Sequence, residues 1–169
     1  MMVTHDVVVG RMADRRIELN HGRLASATPM AKQIEDDIDD ALEQLWLLRE
    51  ENRMNLQSLP DTSIVLKEDM ISHLRAIRLI QMDDGSLSFT TAGEARARDI
   101  IRRHRLGECL FAQTFGLPTR EASDEACQLE HIISQEVAER ICSFLGHPVD
   151  CPHGHHIPAG RCCDRRIEQ

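Results

Sequence analysis

Ile34, Ile38, Ala41, Leu42, Leu45 and Leu48 recur at the three- and four-residue spacing of a single helical face. A stripe like this must be buried on one side, so the chain is committed early to a helix packed against something else. The acidic run Glu35 to Asp40 suits the positive end of that helix, and Asn52 suits its C-terminal cap. Met54, Leu56 and Leu59 come before Pro60-Asp61 and allow a short helix at most. Thr62 or Ser63 can cap a second long helix running through Lys67, Met70, Ile71, Leu74 and Ile77. Leu79 to Met82 reads as a strand, Asp83-Asp84-Gly85 as a turn and Ser86 to Phe89 as the returning strand.

Helix, short helix, helix and hairpin is the order of a winged helix-turn-helix. Thr90 or Thr91 caps the next helix, Ala92 to Phe115, which Gly116-Leu117-Pro118 stops. One further helix is expected from Glu121 to Leu145, ending at Gly146-His147-Pro148. The expected fold is mainly α, a winged helix-turn-helix followed by an all-helical domain. The expected divisions are an arm over 1–32, in which Val7–Val9 could form a short strand, a winged helix over 33–92, a helical domain over 93–150 and a Cys/His-rich tail over 151–169.

The chain has 169 residues, 41% of them hydrophobic, enough for a buried core in one domain or two small ones. No apolar run is long enough to span a membrane and no secretory signal is seen, so a cytoplasmic protein is expected. A formal net charge of −8 argues against nonspecific coating of nucleic acid, although a local basic face could still bind DNA. At 3% aromatic residues and no tyrosine, RNA recognition by stacking is disfavoured. The cysteines at 109, 127, 142, 151, 162 and 163 would be buried thiols or metal ligands in a reducing compartment.

Cys127, Glu130 and His131 stand at i, i+3 and i+4, so a helix puts all three on one face. A thiolate, a carboxylate and an imidazole there can meet one first-row metal ion. The alternative is a buried Cys beside a surface Glu-His pair. His104 and Glu108 repeat the i, i+4 arrangement on the preceding helix, and Asp40 and Glu43 offer two carboxylates on the first. The last pair could also be solvated acids in an acidic stretch. No phosphate loop, catalytic triad order or nucleophile elbow is present, so no enzymatic activity is expected.

Three runs carry a resemblance to a known family: Phe89-Thr-Thr-Ala-Gly-Glu-Ala-Arg-Ala, Asp124-Glu-Ala-Cys-Gln-Leu-Glu-His-Ile-Ile, and Cys151-Pro-His-Gly-His-His-Ile-Pro. With Ile100-Ile-Arg-Arg-His-Arg-Leu-Gly-Glu between them, the chain resembles the iron- and manganese-dependent repressors of the diphtheria toxin repressor and manganese transport regulator type. The resemblance implies a homodimeric, metal-activated repressor of a double-stranded DNA operator, with a winged helix-turn-helix followed by an all-helical metal-binding and dimerisation domain. It implies that Asp40, Glu43, His104, Cys127, Glu130 and His131 ligate the metal, with Glu108 beside them in an ancillary set whose further His is replaced by Ser123. Cys127 follows the iron type, while Asp40 and Glu43 follow the manganese type. Fe(II) is favoured, Mn(II) next, with Zn(II), Co(II) or Ni(II) as other candidates.

The expected DNA contacts are Thr62, Ser63, Lys67, Ser72 and Arg75, with Arg53 and Arg78 on phosphates. Against them, Glu68 and Asp69 would face a phosphate-rich groove. The rival reading is therefore a metal-binding or metal-buffering dimer whose winged helix does not read DNA. Cys151, His153, Cys162 and Cys163 form a candidate second metal site, weighed against an ordered loop followed by free thiols.

Overall fold

The computed structural model describes residues 19–20, 23–24, 29–59 and 65–164. The chain divides into a unit over 1–35 and a larger unit over 36–169. In the first, β1 (Leu19–Asn20) pairs antiparallel with β2 (Arg23–Leu24), and helix α1 (Pro29–Glu50) begins. The expected Val7–Val9 strand lies outside the described residues.

Two corrections concern α1. It starts at Pro29, before the expected Ile34, so the Glu35–Asp40 acids lie beyond its first turn and gain little from the helix dipole. Ile34 is 47% exposed, and the buried stripe begins at Ile38. The other end follows expectation: Asn52 takes the left-handed conformation (φ 57°) and its N–H bonds to the Arg49 carbonyl.

In the larger unit a 3-10 turn (Leu56–Ser58) precedes α2 (Glu68–Ala76), strands β3 (Ile80–Asp83) and β4 (Ser86–Phe89), and helix α3 (Thr91–Cys109). Helix α2 is shorter than the sequence suggested. Lys67, in extended backbone, stands at its N-cap without a side-chain cap, and Glu68 and Asp69 fill its first turn, where acids favour the helix dipole. Thr62 and Ser63, the expected caps, lie outside the described residues. The hairpin is antiparallel, with Ile80 opposite Phe89, and Asp84 and Gly85 both at positive φ as a type I′ turn requires. Thr90 caps α3, accepting from the Gly93 N–H at 3.1 Å.

Beyond α3 a π turn (Leu110–Thr114) leads to α4 (Thr119–Leu129), α5 (Gln135–Phe144) and a short α6 (Arg161–Asp164). The single helix expected over 121–145 is thus two. Ser134, in extended backbone, caps α5 by accepting from the Val137 N–H, and residues 131–134 form the turn between the halves. In the segment after α5, Asp150 bridges His156, and α6 follows.

Two hydrophobic cores result. Ile38, Leu42, Leu45, Trp46, Ile71, Leu74, Ile80 and Leu87 belong to the first; Leu106, Cys109, Ala138, Cys142, Cys151 and Ile157 make the second. Helix α3 serves both, giving Ala97 and Ile101 to one and Leu106 and Cys109 to the other. At its closest approach to α4, a Cβ on Gly107 would stand 3.0 Å from the Ala126 Cβ, so a larger residue there would push the two helices apart.

Ion pairs run along the junction of α1 and α3. Arg96 reaches Asp39 at 2.6 Å and Arg49 reaches Glu94 at 2.9 Å. Arg105, 2% exposed, grips both oxygens of Glu50 at 3.0 and 2.6 Å and also donates to the His156 carbonyl. Burial opposes the charge on Glu50, but hydrogen bonds from Arg105 and Trp46 prevail and hold its pKa below the usual carboxylate value. This pair therefore stabilises the fold above the unfolded carboxylate pKa and weakens as pH falls through the folded one. Replacing Glu50 by Ala leaves the Arg105 charge buried without its partner, and should lower unfolding free energy by about 3 kcal/mol in denaturant titration at neutral pH.

Candidate metal centre

Three helices bring the predicted ligands together. Asp40 and Glu43 come from α1, His104 and Glu108 from α3, and Cys127, Glu130 and His131 from α4 and the turn that ends it. The i, i+3, i+4 relation survives the end of α4 because Glu130 keeps helical backbone angles. Glu130 is held from behind by Arg103, whose guanidinium donates to its carbonyl and, at 3.3 Å, to that of Ile133, while Asp99 pairs with Arg103 at 3.1 Å.

The donors form two overlapping groups. Glu43, His104, Cys127 and Glu130 are one; Asp40, Glu130 and His131 are the other; within each, the ligand atoms lie within 4.8 Å of one another. Glu130 belongs to both and is 0% exposed. His104 Nδ1 is 2.6 Å from Glu130 Oε2 and 3.2 Å from Glu43 Oε1, and His131 Nε2 is 2.9 Å from Asp40 Oδ1. Glu130 Oε1 and His131 Nδ1 are buried without a hydrogen bond. Buried polar atoms are rarely left so; His131 Nε2 stands 3.6 Å from Glu130 Oε1, and a buried carboxylate oxygen without a hydrogen bond is the kind of donor a cation satisfies. The mixed oxygen, nitrogen and sulfur set fits a first-row divalent ion.

Glu108 falls outside both groups. Its Oε1 lies 3.3 Å from His104 Nε2 and 2.9 Å from His153 Nδ1, in a separate set with Cys151. It thus holds the ring nitrogen of His104 that faces away from the centre, as a carboxylate does when it orients a metal-binding imidazole. Ser123 Oγ also approaches that nitrogen, at 3.5 Å. Asp36, which the sequence reading did not single out, lies 3.8 Å from His131 Nδ1. Its only sequence signal was membership of the acidic run.

Crowding shifts the protonation of these groups. Burial, reinforced by Glu130, Asp40 and Glu108, raises Glu43 to about 7 despite the opposing charge of His104. Burial disfavours charge on His104, but hydrogen bonds to Glu108 and Glu130 and the surrounding acids outweigh it and hold the pKa at about 10. The hydrogen bond to Asp40 raises His131, and partial burial amid carboxylates raises Cys127 to about 12. In the free protein, protons therefore supply the positive charge. The raised His104 pKa contributes stability present in full below the unfolded value and lost as pH rises through about 10.

The three thiols and one imidazole predicted for a second site in the tail do not gather. Cys151 and His153 meet Glu108, while Cys162 and Cys163 meet Cys142 and His147. That second partnership was missed because its members lie far apart in sequence. Among the residues expected to meet DNA, Lys67, Ser72, Arg75 and Arg78 are exposed, and the last three line a groove with Gln81 and Met82 of β3. Arg53 pairs with Glu51 at 2.8 Å, and Thr62 and Ser63 lie outside the described residues. No helix among the described residues is long and apolar enough to cross a membrane.

A metal ion at this centre must displace protons from at least Cys127 and His104, so apparent affinity should rise on the order of a hundredfold per pH unit near neutrality. Calorimetric titrations in buffers of different ionisation enthalpy should show matching proton release. A pH-independent affinity would contradict the assignment of these ligands.

Residues 90–159 match the family model of the iron-dependent repressor metal binding and dimerisation domain. The iron-dependent repressor IdeR of Mycobacterium leprae is 42% identical over 72 residues, 43% of this chain and 31% of that protein. The diphtheria toxin repressor of Corynebacterium diphtheriae is 36% identical over 80 residues, 47% of this chain and 35% of that protein. The chain thus matches about a third of the length of these curated relatives. Among solved structures, the manganese regulator SloR superposes with a TM-score of 0.63 at 27% identity, covering 72% of this chain and 59% of that one. A manganese-dependent transcriptional repressor in complex with manganese gives 0.60 at 29% identity, covering 73% and 59%. The chain resembles the iron- and manganese-dependent repressors in sequence over its second half and in fold over about 72% of its length.

Proposed function

We propose that this protein is a homodimeric transcriptional repressor activated by Fe(II) or Mn(II), with Asp40, Glu43, His104, Cys127, Glu130 and His131 as the ligands. The observation that carries the reading is Glu130, a fully buried carboxylate shared by two donor groups, each of which also draws a carboxylate from α1. Helix α1 belongs to the core of the winged-helix half, so a cation held between α1 and the α3–α4 pair favours one posture of that half. Binding that posture more tightly than any other shifts the population toward it. The thiolate of Cys127 favours Fe(II), and the oxygens of Asp40 and Glu43 keep Mn(II) acceptable.

Dimerisation would use the second half. Val137 and Phe144, seven residues apart on one face of α5, are both exposed, as are Ile132 and Phe115. Ile133 and Ile141 of the same stretch pack against the second core. The DNA face would be the exposed side of α2 with Ser72, Arg75 and Arg78. A second reading, a metal-buffering dimer that does not read DNA, is favoured by one observation: Glu68 and Asp69 occupy the first turn of α2, the end a recognition helix offers to bases.

Fluorescence anisotropy with promoter DNA, with and without Fe(II) or Mn(II), separates the two. Metal-dependent, sequence-specific binding at moderate salt is expected, and its absence would leave only the buffering reading. Glu130→Ala combined with His131→Ala should abolish tight metal binding, measured by anaerobic competition with a chelating dye; unchanged affinity would refute the ligand set.

A further inference from the structure

The second core holds a cluster of metal-binding side chains that the repressor reading does not use. Cys142 lies near the end of α5, His147 in the turn that follows, and Cys162 and Cys163 in α6. Cys142 Sγ is 3.6 Å from His147 Nδ1 and 3.8 Å from Cys163 Sγ. Cys163 Sγ is 3.8 Å from His147 Nδ1 and 3.9 Å from Cys162 Sγ. All four donor atoms lie within 4.8 Å of one another.

These separations match a tetrahedron built around zinc. With Zn–S near 2.3 Å and Zn–N near 2.05 Å, the edges are about 3.8 Å between sulfurs and about 3.6 Å between sulfur and nitrogen. A disulfide would bring two sulfurs to about 2.05 Å, and all six cysteines are free thiols. The donor set contains no carboxylate, so it selects a soft tetrahedral ion and contrasts with the oxygen-rich centre.

The surroundings supply the charge such a site needs. Three thiolates around a divalent ion leave one negative charge. Arg102, 6% exposed, brings its Nη2 to 3.3 Å from Cys162 Sγ and 4.0 Å from Cys163 Sγ, and is steered there by the Pro158 carbonyl at 2.6 Å from Nη1. Gly160 makes room for it, since a Cβ there would fall 2.7 Å from two guanidinium nitrogens. The backbone also aims the imidazole. His147 adopts the left-handed conformation (φ 60°) after Gly146 (φ 74°), and its N–H bonds to the Cys142 carbonyl at 2.7 Å. A non-glycine residue at that angle costs about 1 kcal/mol or more, a cost the bond to Cys142 helps offset.

We propose that Cys142, His147, Cys162 and Cys163 form a closed Cys3His zinc site that fastens the C-terminal segment to α5. It is a structural site, separate from the sensing centre: all four positions of the ion are filled by protein, leaving none for water or substrate.

The test uses the full chain carrying Cys127→Ser and Glu130→Ala, which removes the only thiol and the shared carboxylate of the sensing centre. Anaerobic Co(II) titration of this variant should reach one equivalent with the strong visible bands of tetrahedral cobalt and a thiolate charge-transfer band. One equivalent of Zn(II) should bleach both. Adding Cys163→Ser, at a half-buried position near the chain end, should remove the bound equivalent, and Cys162→Ser should do the same if the first variant folds poorly. Adding Cys151→Ser should leave it intact. No Co(II) binding in the starting variant, an unchanged spectrum in the Cys163→Ser protein, or an intact mass two hydrogens short in protein purified anaerobically without added reductant would overturn the proposal. Operator binding is read separately, so failure of the repressor reading leaves this result untouched.

Discussion

Negative charge held away from water is the constraint on which the rest of this molecule turns. Glu130, Glu43 and Glu108 converge with Asp40 around two imidazoles where α1, α3 and α4 meet. Desolvating several carboxylates in one place is tolerable only with positive charge among them. Raised pKa values at His104 and His131 describe that compensation in the free protein. The same helix α1 is also tied to α3 by Asp39–Arg96, Glu50–Arg105 and Arg49–Glu94. One side of the junction thus rests on permanent ion pairs, while the other depends on what fills the cluster.

Much of this was legible because it is local. The Cys127, Glu130 and His131 face follows from helix geometry alone, and the Asp84-Gly85 turn and the Thr90 cap follow from turn and cap chemistry. The break after Leu129 was not legible, because neither Gly nor Pro marks it; Ser134 was the only cue, and serine also occurs inside helices. Helix α2 was extended too far back because Thr62 and Ser63 are good cap residues, whereas Lys67 caps nothing and the acids after it carry the start. Glu108 was expected beside the main ligands in an ancillary set, and helical spacing could not say which of the two imidazole nitrogens of His104 it meets.

The tail shows a different limit. Cys162 and Cys163 were weighed with Cys151 and His153 because the four are close in sequence. In space the segment divides them: Glu108 draws Cys151 and His153 to one side, and α5 with its terminal turn receives the other two. Glu108 thereby shares a mixed cluster with a thiol and an imidazole, while the cluster at α5 holds no carboxylate, a difference that composition could not have revealed.

Arg103 gives the centre one side with a fixed backbone. By clamping the Glu130 and Ile133 carbonyls, and being clamped by Asp99, it sets the α4 side of the site before any cation arrives. Asp40 and Glu43 on α1 have no such clamp on their carbonyls among the contacts described; they meet the cluster through their side chains, at His131 and His104. Under the metal-binding reading proposed above, an arriving ion would therefore find the Glu130 backbone already fixed and would compete with the two imidazoles for the α1 carboxylates.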